Sequence, residues 1–419
     1  MRSLALAGVA LPFLPFAQWP TIMAGISAIS PFVSLSAAMG SRHPAWLGLL
    51  GLPLVILAIF KRRWFCWHLC PTGFILELAA FRRRAGQQPP AGCPHIGKWL
   101  LITGIGMAAA GYPLLTILDP LQILSGFFNA LRWKPNEWKV FAAAIPFLAL
   151  LILNFLRPNV WCRWLCPLGA AQQFLGTAGS TLYHHLDCCR PASQACGKTN
   201  SSGLAEDIAQ TNEIKPAPPA KGIQRRVFLM TCLGGIAGWA FTARKTRAAV
   251  VRPPGAVRED IFTGLCARCG NCINVCPENI IVPDFGASGL RGLLTPVLKY
   301  DRGHYCNEWC AKCLRACPTS AIRRFSPEQK RLLAIGTAHI DKSLCLAWND
   351  RQDCMVCQEF CPYQAVSIVK HEGVNCPEVR EEICRGCGAC ESQCPALPAR
   401  AIIVRGKREQ SPVKINQNF

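Results

Sequence analysis

Four stretches of this 419-residue chain carry four cysteines each and end in Cys-Pro. The first reads Cys266-Ala-Arg-Cys269-Gly-Asn-Cys272-Ile-Asn-Val-Cys276-Pro277, and Cys384, Cys387, Cys390 and Cys394, followed by Pro395, repeat its spacing. Between them lie two variants: Cys306, Cys310, Cys313 and Cys317 before Pro318, and Cys345, Cys354, Cys357 and Cys361 before Pro362. Three cysteines at i, i+3 and i+6 in a tight loop give three of the four converging thiolates that a cubane iron–sulfur cluster needs, and the fourth points away. Proline then ends the loop, because it lacks an N–H donor and fixes its own φ. Zinc sites favour C-x2-C pairs across a long gap, and disulfide scaffolds rarely repeat one spacing four times. The sixteen cysteines therefore read as ligands of four 4Fe–4S clusters.

The rest of the chain is lopsided. Residues 1–180 are rich in Leu, Ala, Ile and Phe, whereas most of the 26 cysteines crowd into the second half. Length alone suggests two or three domains. The net charge of +21 invites a nucleic-acid reading, but many basic residues flank apolar runs, as they do beside membrane spans. No nucleic-acid motif is present, so none is expected as a partner. Apolar runs at 4–17 (extending to about 26), 45–60, 99–118 and 140–156 read as four spans. The basic residues at 61–63, 82–84, 98 and 157 would mark one side as cytoplasmic.

An internal repeat runs through this half. Arg63-Trp64-Phe65-Cys66-Trp67-His68-Leu69-Cys70-Pro71-Thr72-Gly73 aligns with Asn159-Val160-Trp161-Cys162-Arg163-Trp164-Leu165-Cys166-Pro167-Leu168-Gly169. Upstream, Ser30-Pro31-Phe32 echoes Asp119-Pro120-Leu121. Cysteines at i and i+4 share a helical face, and the following proline opens the site. The two pairs, Cys66 with Cys70 and Cys162 with Cys166, could bring four thiolates together. Alternatively each could recruit further ligands from Cys93, Cys188, Cys189 and Cys196. One extra Fe–S cluster, two, or none is compatible with the pattern, the last if the thiols simply pack as small apolar groups. His68 lies within a cysteine motif and His184-His185 form a pair that a haem could use, but such residues are more often surface or interfacial. Glu77 and nearby Trp residues could border a quinone pocket, but an interfacial aromatic belt explains the Trp equally.

From Ser193 to Gln224 the chain turns polar and Pro/Ala/Lys-rich, marking a cytoplasmic linker at 181–223. Gln224-Arg225-Arg226-Val227-Phe228-Leu229 and the apolar run to Ala243 then match a twin-arginine (Tat) export signal. Either a Tat signal or a plain fifth span would carry the cysteine-rich half across a membrane. Cys232 in this run reads as packing.

Residues 1–180 resemble NapH, the membrane quinol-dehydrogenase subunit of periplasmic nitrate reductase systems, on residues 65–71 and 161–169 with Phe174-Leu175-Gly176 beyond. Residues 224–405 resemble NapG and MauM, exported four-cluster ferredoxins, on the twin arginine, on Val251-Arg-Pro-Pro-Gly-Ala256 and on the long gap after Cys345. NapH-like proteins usually add their own cytoplasmic motif pair, of which Cys188, Cys189 and Cys196 are at most a remnant. By resemblance, the outer motifs share ligands with each other, and so do the inner ones. Cys276 would then complete the cluster of Cys384, Cys387 and Cys390, and Cys394 that of Cys266, Cys269 and Cys272, with Cys317 and Cys361 exchanged between the middle pair.

The expected fold is an α-helical transmembrane bundle, four spans in two repeats plus a Tat-type fifth helix, followed by an α+β ferredoxin-like domain. The expected division is a membrane domain at 1–180, a linker at 181–223, a signal or anchor helix at 224–247 and a polyferredoxin at 248–419. Such a chain would sit in a bacterial inner membrane with its ferredoxin half in the periplasm. It would be an electron-transfer subunit of a quinol-linked system, with quinone or menaquinone as substrate. Its partners would be the membrane quinol pool, other membrane electron-transfer subunits, and a periplasmic reductase or cytochrome acceptor. Two alternatives carry different chemistry: an electron donor in maturation of a periplasmic dehydrogenase, as MauM-type relatives imply, or a membrane metal or thiol reductase. No general acid, base or nucleophile constellation is visible. Arg268, Lys312, Arg315, Arg323 and Arg324 lie near the motifs, where they would favour reduced clusters or an acidic partner, or form a solvated surface.

Overall fold

The computed structural model describes residue 25 and residues 27–41, 50–61, 63–79, 96–131, 138–157, 160–188, 225–243, 250–300 and 303–413. Its first half is helical, and proline sets where several helices begin. α1 (Pro31–Ser41), α4 (Pro71–Ala79), α6 (Pro120–Leu131) and α8 (Pro167–Cys188) all start on proline, which is pre-set for the first helical position and has no N–H to waste there. The other helices are α2 (Leu52–Phe60), α3 (Trp64–His68), α5 (Ile96–Ala109), α7 (Trp138–Leu156) and α9 (Arg225–Ala243). Phe65, Leu76, Leu124, Phe147, Trp161 and Leu168 form one core with Cys70 and Cys166.

The apolar runs expected to cross a membrane are cut shorter than hydropathy suggested. The run at 45–60 supplies the nine-residue α2. The run at 99–118 yields the 14-residue α5, stopped by Gly111 at φ 87° and by Pro113. The 19-residue α7 contains Pro146, and the 19-residue α9 opens on two arginines. Crossing takes ~20 consecutive apolar residues, and among the described residues no helix is long and apolar enough. This overturns the expected transmembrane bundle, and with it the multi-pass inner-membrane location. The expected span from residue 4 falls almost wholly outside the described residues. The twin-arginine helix α9 lies against α5 with its backbone in contact. A Cβ on Gly106 would stand 2.5 Å from the Thr231 carbonyl oxygen, and one on Gly234 2.5 Å from that of Thr103.

The second half mixes short helices with three two-stranded antiparallel sheets. β1 (Ile281–Pro283) pairs with β2 (Pro296–Leu298), and β4 (Val366–His371) with β5 (Val374–Val379) across a tight turn at Glu372-Gly373. β3 (Leu333–Ile340) pairs with the final strand β6 (Ile402–Pro412), with Ile340 opposite Ile402 and a bulge between Ala334 and Gly336. Helices α10 (Glu259–Leu265), α11 (Asn271–Asn274), α12 (Lys312–Ala316), α13 (Pro327–Arg331), α14 (Val356–Glu359) and α15 (Ala389–Gln393) complete it. Cysteines form part of the core itself: Cys272, Cys313, Cys357, Cys384 and Cys390 pack with Phe262, Leu265, Leu314 and Ile335. The halves meet through Tyr112, whose ring lies on Gly264 and whose hydroxyl is 3.0 Å from Thr263 Oγ1.

Candidate metal centres

Each motif folds locally in a way its spacing explains. The third cysteine of each, Cys272, Cys313, Cys357 or Cys390, lies in a short helix, and all four are buried. Two residues after the first cysteine, Arg268 (φ 56°) and Gly386 (φ 69°) turn the chain left-handed. Three residues after the fourth, Asn279, Ser320 and Gln364 do the same. Amides then point at sulfur: Ile322 N–H donates to Cys317 Sγ (3.4 Å), Ala365 N–H to Cys361 (3.3 Å) and Ala338 N–H to Cys384 (3.4 Å). None of the sixteen cysteines is in a disulfide.

Four small cavities test whether clusters fit. One is lined by Cys266, Cys269, Cys272 and Cys317, and another by Cys276, Cys306, Cys310 and Cys313. A third has Cys361, Cys384, Cys387 and Cys390, and the fourth Cys345, Cys354, Cys357 and Cys394. Every one of the sixteen cysteines is used once, three from one motif and one from a neighbour. Among the described residues no three His, Cys, Asp or Glu side chains converge tightly enough for a single ion. A cubane needs four thiolates, and each cavity has four cysteines in its lining. Burial pushes up Cys266, Cys272, Cys306, Cys384 and Cys357, the last to about 12. A bare thiolate is therefore costly there, and iron would offset that cost.

The ligand exchange implied by resemblance is thereby corrected. Cys276 and Cys317 are exchanged between the first two motifs, and Cys361 and Cys394 between the last two. Among these four cavities, the first and fourth motifs share none. The two pairs of cavities meet at a backbone hydrogen bond, Cys306 N–H to Cys387 O at 2.9 Å. Tyr300 braces the same junction, its hydroxyl donating to Gly386 O at 2.7 Å. The spatial order of motifs is thus first, second, fourth, third. At the far end, Lys342 Nζ lies 3.8 Å over the Trp348 ring, beside Cys345.

In the first half the two Cys-x3-Cys-Pro motifs adopt one geometry twice. Cys70 N–H reaches back to Phe65 O and Cys166 N–H to Trp161 O, both at 2.8 Å. Gly73 N–H donates to Cys70 Sγ and Gly169 N–H to Cys166 Sγ, both at 3.4 Å. The motifs also touch: Cys66 Sγ donates to Gln172 Oε1 (3.4 Å) and Arg63 Nη2 to Gln173 Oε1 (3.0 Å) on α8. Burial, and then the neighbouring Cys162, push Cys66 up to about 12; burial and Cys66 raise Cys70 and Cys166 as well. Cys70 and Cys166 are buried in one core with Cys162 packed against it; among the described residues no three His, Cys, Asp or Glu side chains converge on a single-ion site. The side chains of Cys93, Cys188, Cys189 and Cys196 lie outside the described residues, as do those of His184 and His185. His68 is exposed and stacks on Trp64.

Family models match segments of both halves. A family described as a 4Fe-4S binding domain matches residues 42–86 and 140–182, one stretch around each Cys-x3-Cys-Pro motif. A second family with the same description matches 263–279 and 381–397, the first and fourth motifs. The methylamine utilization ferredoxin-type protein MauM of Methylorubrum extorquens is 30% identical over 174 residues, 39% of this chain and 78% of that one. MauM of Methylophilus methylotrophus is 33% identical over 207 residues, 46% and 87% of the two chains. The ferredoxin-type protein NapF of Escherichia coli K12 is 33% identical over 150 residues, 35% and 80%. The chain belongs to this family of ferredoxin-type proteins. It is a polyferredoxin with multiple 4Fe–4S clusters. No solved structure matches.

Helix α6 joins the two sets of cysteines in this polyferredoxin. At its start Asp119 caps Leu121 N–H (3.0 Å) and accepts from Ser30 Oγ (2.5 Å), so the two copies of the repeated Pro-led segment touch. Burial pushes the Asp119 carboxyl up to about 6. At its end Asn129 Nδ2 donates to Cys269 O (2.6 Å) and Asn271 Oδ1 (2.9 Å), and its Oδ1 accepts from Asn274 Nδ2 (2.7 Å). Asn129, like Tyr300 and Lys330, was not visible as functional in the sequence. Lys330 Nζ donates to the carbonyls of Asn307 (2.5 Å) and Cys310 (2.7 Å), shaping the second loop from 20 residues away. Of the basic residues noted near motifs, Arg268 spends its guanidinium on the carbonyls of Cys266, Thr263, Leu293 and Arg291. It is therefore a clamp on the first loop rather than a partner-facing charge.

Proposed function

We propose that this chain is a relay for single electrons between a quinol donor and a redox enzyme, with five cysteine sites in a row. The observation that carries the reading is the set of four-cysteine cavities ordered first, second, fourth, third and joined at Cys306–Cys387. When bound, 4Fe–4S clusters supply one-electron exchange without proton or group transfer. The chain's own part is to fix their spacing, exclude water and aim amides at the sulfurs. Cys66, Cys70, Cys162 and Cys166 are proposed as ligands of a fifth cluster on the entry side, and the sixteen remaining motif cysteines as ligands of the four others.

The quinol donor rests on the NapH-like character of residues 1–180, and the outgoing partner on likeness to NapG and MauM. A NapH-like unit at 1–180, a linker at 181–223, a helix at 224–247 and a NapG-like unit at 248–419 describe the chain under this reading. The recipient is then a reductase or, following the methylamine-utilization name of the MauM relatives, a dehydrogenase of that system. The test is anaerobic reduction of the cluster-loaded protein by menadiol, followed by EPR, beside a variant with Cys66, Cys70, Cys162 and Cys166 changed to Ser. Reduction of the wild type alone supports the reading. Reduction of both by dithionite but of neither by menadiol overturns the quinol step.

A further inference from the structure

The four cavities of the cysteine-rich half are unequal in charge. The one lined by Cys266, Cys269, Cys272 and Cys317 has Arg268 in its wall. The one of Cys276, Cys306, Cys310 and Cys313 has Lys312 and Lys330 against Glu278, and the one of Cys361, Cys384, Cys387 and Cys390 has Arg385. The last, of Cys345, Cys354, Cys357 and Cys394, has no charged side chain in its lining. Ile340, Leu346, Val356, Ile402, alanines and prolines close it.

The cations are fixed where they act. Lys330 is 7% exposed and Arg385 8%. Lys330 Nζ is held by the carbonyls of Asn307 and Cys310, and Arg385, next to Cys384, by those of Arg331 (2.6 Å) and Ile383 (2.9 Å). Arg268, half-buried, reaches Cys266 O at 3.1 Å. Near such sites a charge acts through protein, where its field is about fourfold stronger than through water. At the other end the charges are of mixed sign. Asp341, Asp350 and Asp353 flank Cys345 and Cys354, and Arg351 is taken up by Glu372 at 2.5 Å. Lys342 lies there too, over the Trp348 ring. The three aspartates and Lys342 are all exposed, so salt screens them. The difference between the cavities therefore rests on the buried cations.

Reduction of a 4Fe–4S site adds one negative charge to it. A buried cation favours that charge, and an apolar wall without one opposes it. We infer that the site of Cys345, Cys354, Cys357 and Cys394 has the lowest reduction potential of the four, with Arg268, Lys330 and Arg385 holding the other three above it. In the relay, electrons then rest on the three cation-lined sites and reach the terminal one uphill, leaving as the partner draws them. That consequence rests on the proposed relay; the order of potentials does not.

The test is an anaerobic titration of the full-length, cluster-loaded protein with dithionite and redox mediators, followed by EPR. Arg268→Met, Lys330→Met and Arg385→Met should each move a different couple down, and Leu346→Lys should move a further one up. Each shift should be at least tenfold in the reduced-to-oxidised ratio at fixed potential, ~59 mV for one electron. In the wild type the couple moved by Leu346→Lys should lie below the other three. Lys330→Arg, which keeps the charge, should leave its couple in place. A Leu346→Lys couple lying above any of the others, or methionine variants that keep their iron and shift nothing, would overturn the inference. A variant that fails to load iron leaves the decision to the remaining ones. Menadiol takes no part, so the result is independent of the quinol donor.

Discussion

Cys317 closes the second motif yet faces the first three cysteines of the first motif. That exchange can be read out by iron loss. Cys276→Ser and Cys306→Ser strike the same cavity, so combining them should remove no more iron than either alone, roughly four atoms per chain. Cys276→Ser and Cys384→Ser strike different cavities, and their losses should add; the reverse pattern would restore the outer-with-outer exchange. Arg252 belongs to the same scale. Its guanidinium is buried at 3% exposure and paired bidentately with Glu259, at 2.8 and 2.5 Å, with Thr295 and Pro296 taking a further N–H. Arg252→Met leaves a buried carboxylate alone and should destabilise the folded protein by ~3–5 kcal/mol, and Arg252→Met with Glu259→Leu should recover most of it. Thermal unfolding of the cluster-loaded variants measures both. The sequence displays Arg252 within the stretch 251–256 that carries the family resemblance, but its pairing with Glu259 depends on burial that no local pattern encodes.

Among the elements, α6 has the most to do. Its 12 residues span ~18 Å, from the Cys-x3-Cys-Pro site to the loop of Cys269. Asn129→Leu keeps its helical character but removes three hydrogen bonds to that loop. The expected result is a looser junction, seen as faster proteolytic cutting between residues 131 and 250 and a loss of ~1–3 kcal/mol for the polar groups left unpaired. Unchanged cutting would mean that Tyr112 on Gly264 suffices to hold the halves. Element ends are where hydropathy misled. An apolar run was counted as one span from 99 to 118, although Gly111 and Pro113 stop the helix inside it. Composition averages over a breaker; the backbone does not. The prolines at 31, 71, 120 and 167 each begin a helix, and the repeat they belong to folds as a repeat.

For the molecule as a whole, metal and fold are coupled. Five motif cysteines sit inside the core of the second half, and each cavity is closed by a cysteine from another motif. Anaerobic removal of iron should therefore cost residues 250–413 their cooperative unfolding transition rather than leave an empty folded shell. Far-UV circular dichroism during heating, before and after chelation, would show it; an unchanged transition would mean that the short sheets and apolar core hold the fold without clusters.

The sequence by itself determined what is local. Three cysteines at i, i+3 and i+6 reach one point whatever surrounds them, so cluster chemistry, the number of four-cysteine motifs and the twofold Cys-x3-Cys-Pro repeat were all legible. Only the tertiary structure decided which distant cysteine completes each set, that the fourth motif lies between the second and third, and where the apolar helices end. Those outcomes depend on contacts between residues tens to hundreds of positions apart, such as Cys306 with Cys387 and Asn129 with Cys269. Their closure is set by packing, which spacing along the chain does not carry.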